Sequence, residues 1–394
     1  MREVVIISAA RTPFGLYRGS LAQLRSQDLA ASSMREAVSR AGIESAQLDA
    51  SIFSESIQSS LPANVGRHAW LLAGLDENPA GYTLNVLCGG ALQTMISACS
   101  KIMAGEYEAI LTGGVETNSQ APYYIENPRY ELGAHNLYFH DQREEIESNA
   151  QPREKYGSLS RYDIADIIAR HYGLSRVILD KYAWGSKSLA LESIKNGAMS
   201  SCITPITTKI NKREVIVDQD QGPVTRSMEE LLAMPAIKEN GTATGGNTAA
   251  LADGAASIIM AAGKKAVEWE CRPLASLKGF AIKAGNPVLI DKTSIKSIAR
   301  SLQIAGLTLK DIDFIDIHEP SAAFALAVSE QLGSDAVGKI NVDGGSLAYG
   351  HAGAATGGAM VVNMLYRLEQ RDAAAGLINV GALGGQSFTI IIKR

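Results

Sequence analysis

Tyr82-Thr83-Leu84-Asn85-Val86-Leu87-Cys88-Gly89-Gly90-Ala91 runs from a short apolar stretch through a cysteine and two glycines into a helical pattern. Residues 82–86 read as a strand. Beyond the glycines, Leu92, Met95, Ile96, Cys99, Ile102 and Met103 recur at helical spacing, which predicts a helix over 91–103 closed by Gly105-Glu106. Ala109-Ile110-Leu111-Thr112 then reads as a second strand, ending in Gly113-Gly114. Strand, helix, strand in this order predicts an α/β fold with a mostly parallel sheet covered on both faces.

A cysteine between a strand end and a helix start sits near backbone N–H groups that have no helical partner. The helix dipole there favours a thiolate and lowers the thiol pKa. Gly89 and Gly90 would let a substrate approach the backbone, and adjacent N–H groups could hold an oxyanion. The plainer reading is a small buried hydrophobe at a tight turn, and this segment alone leaves both open.

The same texture extends to either side. Val4–Ser8 reads as a buried strand, and residues 26–41 as an amphipathic helix stopped by Gly42. Residues 117–244 are polar, rich in Tyr, Asn, Ser and charge, with helical parts over 162–171 and 175–196. This stretch is expected to pack over the first core. The α/β texture returns over 245–262. Residues 351–385 then repeat the order seen over 88–114: reactive residue, small residues, helix, polar turn, apolar strand, Gly-Gly. The organisation expected is an N-terminal half over 1–116 and 245–270, a loop domain over 117–244 and a C-terminal half over 271–394. A length of 394 residues fits two or three domains at about 150 residues each.

Three further segments carry chemistry. Asn341–Gly358 is rich in glycine and holds His351, which suits general base work or pairing with a thiolate. Asp316-Ile317-His318-Glu319-Pro320-Ser321 lies between a strand and a helix over 322–332. Its His-Glu pair could polarise a carbonyl, while Ser321 suits the helix cap. Gly381-Ala382-Leu383-Gly384-Gly385-Gln386 is a flexible turn after a strand.

Composition excludes several classes. With 37 Lys+Arg against 41 Asp+Glu the net charge is −4, which argues against a nucleic-acid or anionic-membrane surface. The chain has 4 cysteines and no C-x-x-C pair, so neither a disulfide framework nor a zinc cluster is expected. Cys99, Cys202 and Cys271 lack catalytic neighbours. His68, His135, His140 and His171 show no metal-ligand spacing, so no metal is predicted. There is no Gly-x-Gly-x-x-Gly after a strand, so no dinucleotide is expected. The opening Val4-Val5-Ile6-Ile7 is too short for a secretory signal, and a cytoplasmic location is expected.

Taken together, these segments resemble the thiolase family, the acyl-CoA C-acyltransferases. The resemblance runs through Ser8–Gly15, Asn85–Gly90, Gly113–Pro122, Gly241–Gly254 and Asn341–His351, and covers essentially the whole chain. It implies a five-layered α-β-α-β-α core of two similar halves with a loop domain inserted in the first. It also implies Coenzyme A thioesters as substrates, with no permanently bound cofactor. A homodimer or homotetramer is implied, a companion subunit being a further option.

Carried over motif by motif, Cys88 would be the nucleophile that holds the acyl group and His351 its activator. His318 would shape a first oxyanion hole. The N–H groups of Cys88 and Leu383 would form a second. Substrate contacts would fall at Ser321, Ala249, Ile237 and Ala352. The family usually has a second cysteine where Gly381 stands here, or in some members at Pro320. The base for carbon chemistry is therefore unassigned: His351, His318, Glu319 or the substrate's leaving thiolate could serve, with His351 ranked first and Glu319 second, and a Gly381→Cys variant as one test. The family's Met-Gly-x-Thr-Ala-Glu stretch aligns with Arg161–Asp166, and Pro320, Ser321, Ala352 and Gly353 suggest an altered, roomier acyl pocket. The reaction implied is cleavage of a 3-oxoacyl-CoA with Coenzyme A, or its reverse. The alternatives are acyl transfer from Cys88 to another acceptor and a non-catalytic CoA-binding subunit.

Overall fold

The structure, a computed structural model, describes residues 2–126, 128–131, 136–224 and 226–394; His135 lies outside them. Along the chain come β1 (Val4–Arg11), α1 (Ser26–Ala41), β2 (Ala50–Ser54), β3 (Ala80–Leu84), α2 (Gly90–Ala104) and β4 (Ala109–Thr117). An insertion with α3 (Arg161–His171) and α4 (Arg176–Lys195) follows. The remainder comprises β5 (Ala252–Ala262), β6 (Ala275–Ala284), α5 (Ile290–Ala305), β7 (Phe314–Ile317), α6 (Ala322–Leu332), α7 (Thr356–Gln370), β8 (Ala375–Ala382) and β9 (Gln386–Lys393).

The strands join in the order β7-β8-β9-β6-β1-β5-β4-β2-β3, with the short strand Gly15–Leu16 on β5. Two half-sheets meet where β1 pairs with β6 through Val5↔Ser276 and Ile6↔Ala275. The sheet is mixed, which corrects the expectation of a mostly parallel one. β2 runs parallel to β3 and β4, and β7 to β8. β5 is antiparallel to both β1 and β4, and β9 to β8 and β6. Parallel neighbours require a crossover connection. β5 instead re-enters beside β4 after the insertion, and β8 turns straight into β9 at Gly384 and Gly385, both with positive φ.

The alternation of side chains along β1 places the layers. Val4 and Ile6 face a core built from α2 and α7, while Val5 and Ile7 face one built with α1. A third core joins β7, β8 and β9 to α5 and α6. Helix, half-sheet, helix pair, half-sheet and helix thus stack as five layers.

The insertion departs from the expected placement over the first core. Ile164, Ile168, Leu179 and Ala183 of α3 and α4 pack in the third core with Ala323 and Ala327 of α6, on the C-terminal half. Small side chains on α6 let α3 and α4 come close. Among the described residues of the insertion, Met199, Cys202 and Ile203 reach back to the first core, and Ile206 and Val217 to the second.

Candidate active site

Cys88 sits in the single turn Leu87–Gly89 between β3 and α2. Leu87 has φ 54°, a left-handed conformation that β-carbon sterics disfavour. The turn is held by Asn85, whose Oδ1 accepts from the Leu87 N–H at 3.0 Å and whose Nδ2 donates to the Ser56 carbonyl at 2.9 Å. Gly89 and Gly90 answer to packing rather than to substrate access. A β-carbon at Gly89 would lie 2.1 Å from the Phe388 ring, and one at Gly90 would lie 2.0 Å from Ser54 Oγ.

One cavity gathers Cys88, His318, His351, Gly381 and Leu383 from separate chain segments. Cys88 Sγ lies 3.1 Å from His351 Nε2, and His351 Nδ1 lies 2.8 Å from Thr356 Oγ1 at the start of α7. The His351 backbone is clamped to β5's approach: its N–H donates to Ala250 O at 2.7 Å, and its carbonyl accepts from Ala252 N–H at 2.9 Å. With Nδ1–H donating to Thr356, Nε2 presents its lone pair to the thiol.

The electrostatics reverse the expected thiolate. Burial, reinforced by Glu116 and Glu147, pushes the Cys88 thiol up to about 12. Burial, then His318 and Arg161, holds His351 well below the usual imidazole range. In the free protein the pair is a neutral thiol and a neutral imidazole, because desolvation outweighs the helix terminus. The backbone N–H groups of Leu383 and of Cys88 itself oppose this rise and favour the anion. They stand ready for a negative charge that develops there.

His318 follows β7, and its Nδ1 lies 3.2 Å from the Gly381 carbonyl. A carbonyl only accepts, so Nδ1 carries the proton and Nε2 is a lone pair. That Nε2 is buried, has no hydrogen-bond partner in the protein, and belongs to a ring lining the cavity. Burial lowers His318 to about 4, opposed by the Gly381 contact. The His318 and His351 ring centroids are 4.5 Å apart.

Glu319 does not join them, contrary to its ranking as a candidate base. Its carboxylate turns away and accepts from Tyr182 Oη (2.9 Å), Ser186 Oγ (2.8 Å), Asn341 Nδ2 (2.7 Å) and Leu347 N–H (3.2 Å). It ties the insertion to the glycine-rich segment. Ser321 caps α6, accepting from Phe324 N–H at 3.2 Å, and also lines the cavity, as do Ala249 and Pro320. Ala352 is fully buried in the central core and its neighbour Gly353 reaches the cavity instead, so a substrate contact at Ala352 is not supported. Ile237 is 49% exposed on the insertion, outside the cavity.

Residues that sequence reasoning does not single out line the same cavity. Arg143 and Glu147 come from the insertion and carry no motif; only tertiary packing brings them in. Arg161 stands out in sequence as a departure, yet its reach into the cavity, 3.4 Å from Glu147, is decided by α3's position. Glu116 is capped by the N–H groups of Ile57, Ala354 and Ser56. At Gly381 a β-carbon would lie 2.7 Å from Phe324 Cζ and 3.0 Å from Ile290 Cγ2. The space beside Gly381 is already filled. Cys99 and Cys202 are buried and Cys271 partly so, all as free thiols. Among the described residues no group of His, Cys, Asp and Glu is arranged to hold a metal ion.

The chain matches the family description "Thiolase, N-terminal domain" over residues 4–264 and "Thiolase, C-terminal domain" over residues 271–394. It is 34% identical to an acetyl-CoA acetyltransferase of Escherichia coli (strain K12), with 100% of each chain covered. It is 31% identical to the mitochondrial 3-ketoacyl-CoA thiolase of Homo sapiens, covering 100% of this chain and 98% of the other. Among solved structures, the Bacillus anthracis acetyl-CoA acetyltransferase superposes with a TM-score of 0.95 at 30% identity, covering 100% of this chain and 99% of that one. Human mitochondrial 3-ketoacyl-CoA thiolase in complex with CoA does so with a TM-score of 0.91 at 30% identity, covering 100% and 98%.

Proposed function

Because this chain belongs to the thiolase family, we propose that its acyl-CoA C-acyltransferase activity runs through a thioester on Cys88. The observation that carries this reading is the cavity in which Cys88 Sγ lies 3.1 Å from His351 Nε2 with the His318 ring beside them. His351 takes the thiol proton as sulfur attacks the ketone carbon of a 3-oxoacyl-CoA. The N–H groups of Cys88 and Leu383 favour negative charge beside that carbon. The carbon–carbon bond then breaks, and the departing acyl-CoA carbanion takes up the proton that had left the thiol, so His351 is neutral again. Coenzyme A gives its thiol proton to His351 and attacks the acyl-Cys88 thioester, which releases the shortened acyl-CoA and restores the thiol. Condensation is the same path reversed. Thr356, accepting from Nδ1–H, steadies the imidazole through both proton transfers.

Coenzyme A is a substrate in this scheme, not a resident cofactor. A homo-oligomer in the cytoplasm is part of the proposal. Among the described residues no helix is long and apolar enough to cross a membrane. Incubation with acetyl-CoA followed by peptide mass spectrometry should find the acyl adduct on Cys88 and none in Cys88→Ser. An unmodified Cys88 would sink the reading. The filled space beside Gly381 favours a second reading, acyl transfer from Cys88 to a different nucleophile. Thiolysis of acetoacetyl-CoA separates the two: acylation of Cys88 without cleavage would select the second.

A further inference from the structure

Acyl transfer between carbon atoms needs two proton acceptors, one for the thiol and one for carbon. His351 Nε2 already faces the thiol. The other titratable groups lining the cavity, among the described residues, are accounted for. Glu116 accepts three backbone N–H bonds, Glu147 pairs with Arg161, and the two arginines hold no lone pair to offer. Arg143 is in turn held by Asp141 and Glu144. His318 Nε2 differs from all of them: its tautomer is set by the Gly381 carbonyl, its lone pair has no protein partner, and its ring lies beside His351. A fixed Nδ1–H tautomer cannot donate from Nε2 to a carbonyl oxygen. It can accept a proton.

We propose that His318 is a catalytic residue whose Nε2 moves the proton at the substrate's α-carbon. The proposal rests on the acyl-Cys88 reading. In condensation, Nε2 removes a proton from the α-carbon of the second acyl-CoA, and the electron pair left on carbon attacks the acyl-Cys88 carbonyl. The new carbon–carbon bond forms as the carbon–sulfur bond to Cys88 breaks, and the proton on His318 Nε2 passes by way of the neighbouring His351 to the Cys88 thiolate, which restores the thiol and both neutral imidazoles. In cleavage, the thiol proton taken by His351 passes to His318 Nε2, which delivers it to the carbanion. Gly381 is part of the device, because its carbonyl holds the Nδ1 proton. The lack of a side chain there leaves room for the Phe324 ring, which closes the wall beside the imidazole.

The test separates acylation from carbon chemistry in one sample. The parent protein, His318→Asn and His318→Gln are incubated with acetyl-CoA in D2O. Deuterium uptake at the acetyl methyl is followed by NMR, and the Cys88 adduct by mass spectrometry. The expected result is exchange slowed by roughly 100-fold or more in both variants. Acylation should fall by less than about tenfold, so the ratio of the two rates collapses. Added imidazole should restore part of the exchange in His318→Ala. Adduct formation reports on folding in every variant. Exchange that persists within about tenfold, exchange absent from an acylated parent, or a parallel fall of both rates overturns the assignment while the acyl-Cys88 reading stands. A parent that forms no adduct overturns both.

Discussion

Replacing Gly381 by cysteine tests whether the wall of the cavity, rather than chance loss of a thiol, excludes a side chain at that position. The new β-carbon would meet Phe324 Cζ at 2.7 Å, Phe324 Cε2 at 2.9 Å and Ile290 Cγ2 at 3.0 Å. The first of these is about 0.7 Å short of ordinary carbon–carbon contact, and the sulfur must still be placed beyond it. The Phe324 ring has little freedom to retreat, being 1% exposed and packed in the third core. Overpacking of this kind costs roughly 1–3 kcal/mol. That range is a fall of roughly 5- to 150-fold in the folding equilibrium constant. Urea denaturation of parent, Gly381→Cys, Phe324→Leu and the double variant gives the cycle. The single cysteine variant should lose stability at unchanged m. The double variant should recover at least about 1 kcal/mol relative to additivity, because the two side chains compete for one volume. Gly381→Cys alone should not raise condensation activity. A Gly381→Cys protein as stable as the parent within about 0.5 kcal/mol, or one with faster condensation, would refute this reasoning.

Other expectations follow from the same geometry. Glu319→Gln should cost about 2–4 kcal/mol, since an amide cannot accept all four donors that the carboxylate holds. A variant that keeps its denaturation midpoint yet loses all activity would return Glu319 to the chemistry. Glu147→Gln should lower the Cys88 pKa, because Glu147 is one of the charges that raise it; iodoacetamide should then alkylate Cys88 several-fold faster at pH 8. An unchanged or slower rate would show that Glu147 does not act on the thiol. Burial and Glu116 raise Glu55 from its ordinary 4.5 to about 8. Between those values the native state keeps a proton that the unfolded chain has released, so this contribution to stability declines as pH rises from about 4.5 to 8. Glu55→Gln should flatten that decline in denaturation midpoints measured across the window. A slope identical to the parent's would exclude Glu55 as its source.

Elements with strong local signals are legible in the linear chain. The helix expected over 26–41 is α1, stopped at Gly42 with φ 66°, and the helix over 322–332 is α6 with Ser321 as its cap. β2, β6 and β9 do not stand out in the same way, and α5 is not singled out either, although its apolar face is more strongly periodic than that of α1. Strand direction is not legible either: nothing local distinguishes β5, which returns antiparallel to its neighbours, from a strand reached by a crossover. At the site, the reactive residues are legible because each stands at an element boundary flanked by glycine or a cap. Their charge states are not. Cys88 at a helix start suggests a thiolate, and only the depth of the cavity shows that desolvation dominates. Glu319, next to His318 in sequence, points the opposite way from it, as adjacent residues after a strand often must.

By itself, then, the sequence determined the family and the α/β alternation of two like halves, and it marked Cys88, His318 and His351 as candidate site residues. These are properties of local pattern and residue chemistry, which survive in a linear string. The tertiary structure decided which groups meet. His351 faces the thiol, His318 keeps a free lone pair because Gly381 fixes its tautomer, and Phe324 fills the space beside Gly381. Distances, desolvation and tautomers depend on segments far apart in the chain closing on one cavity, and packing alone sets them.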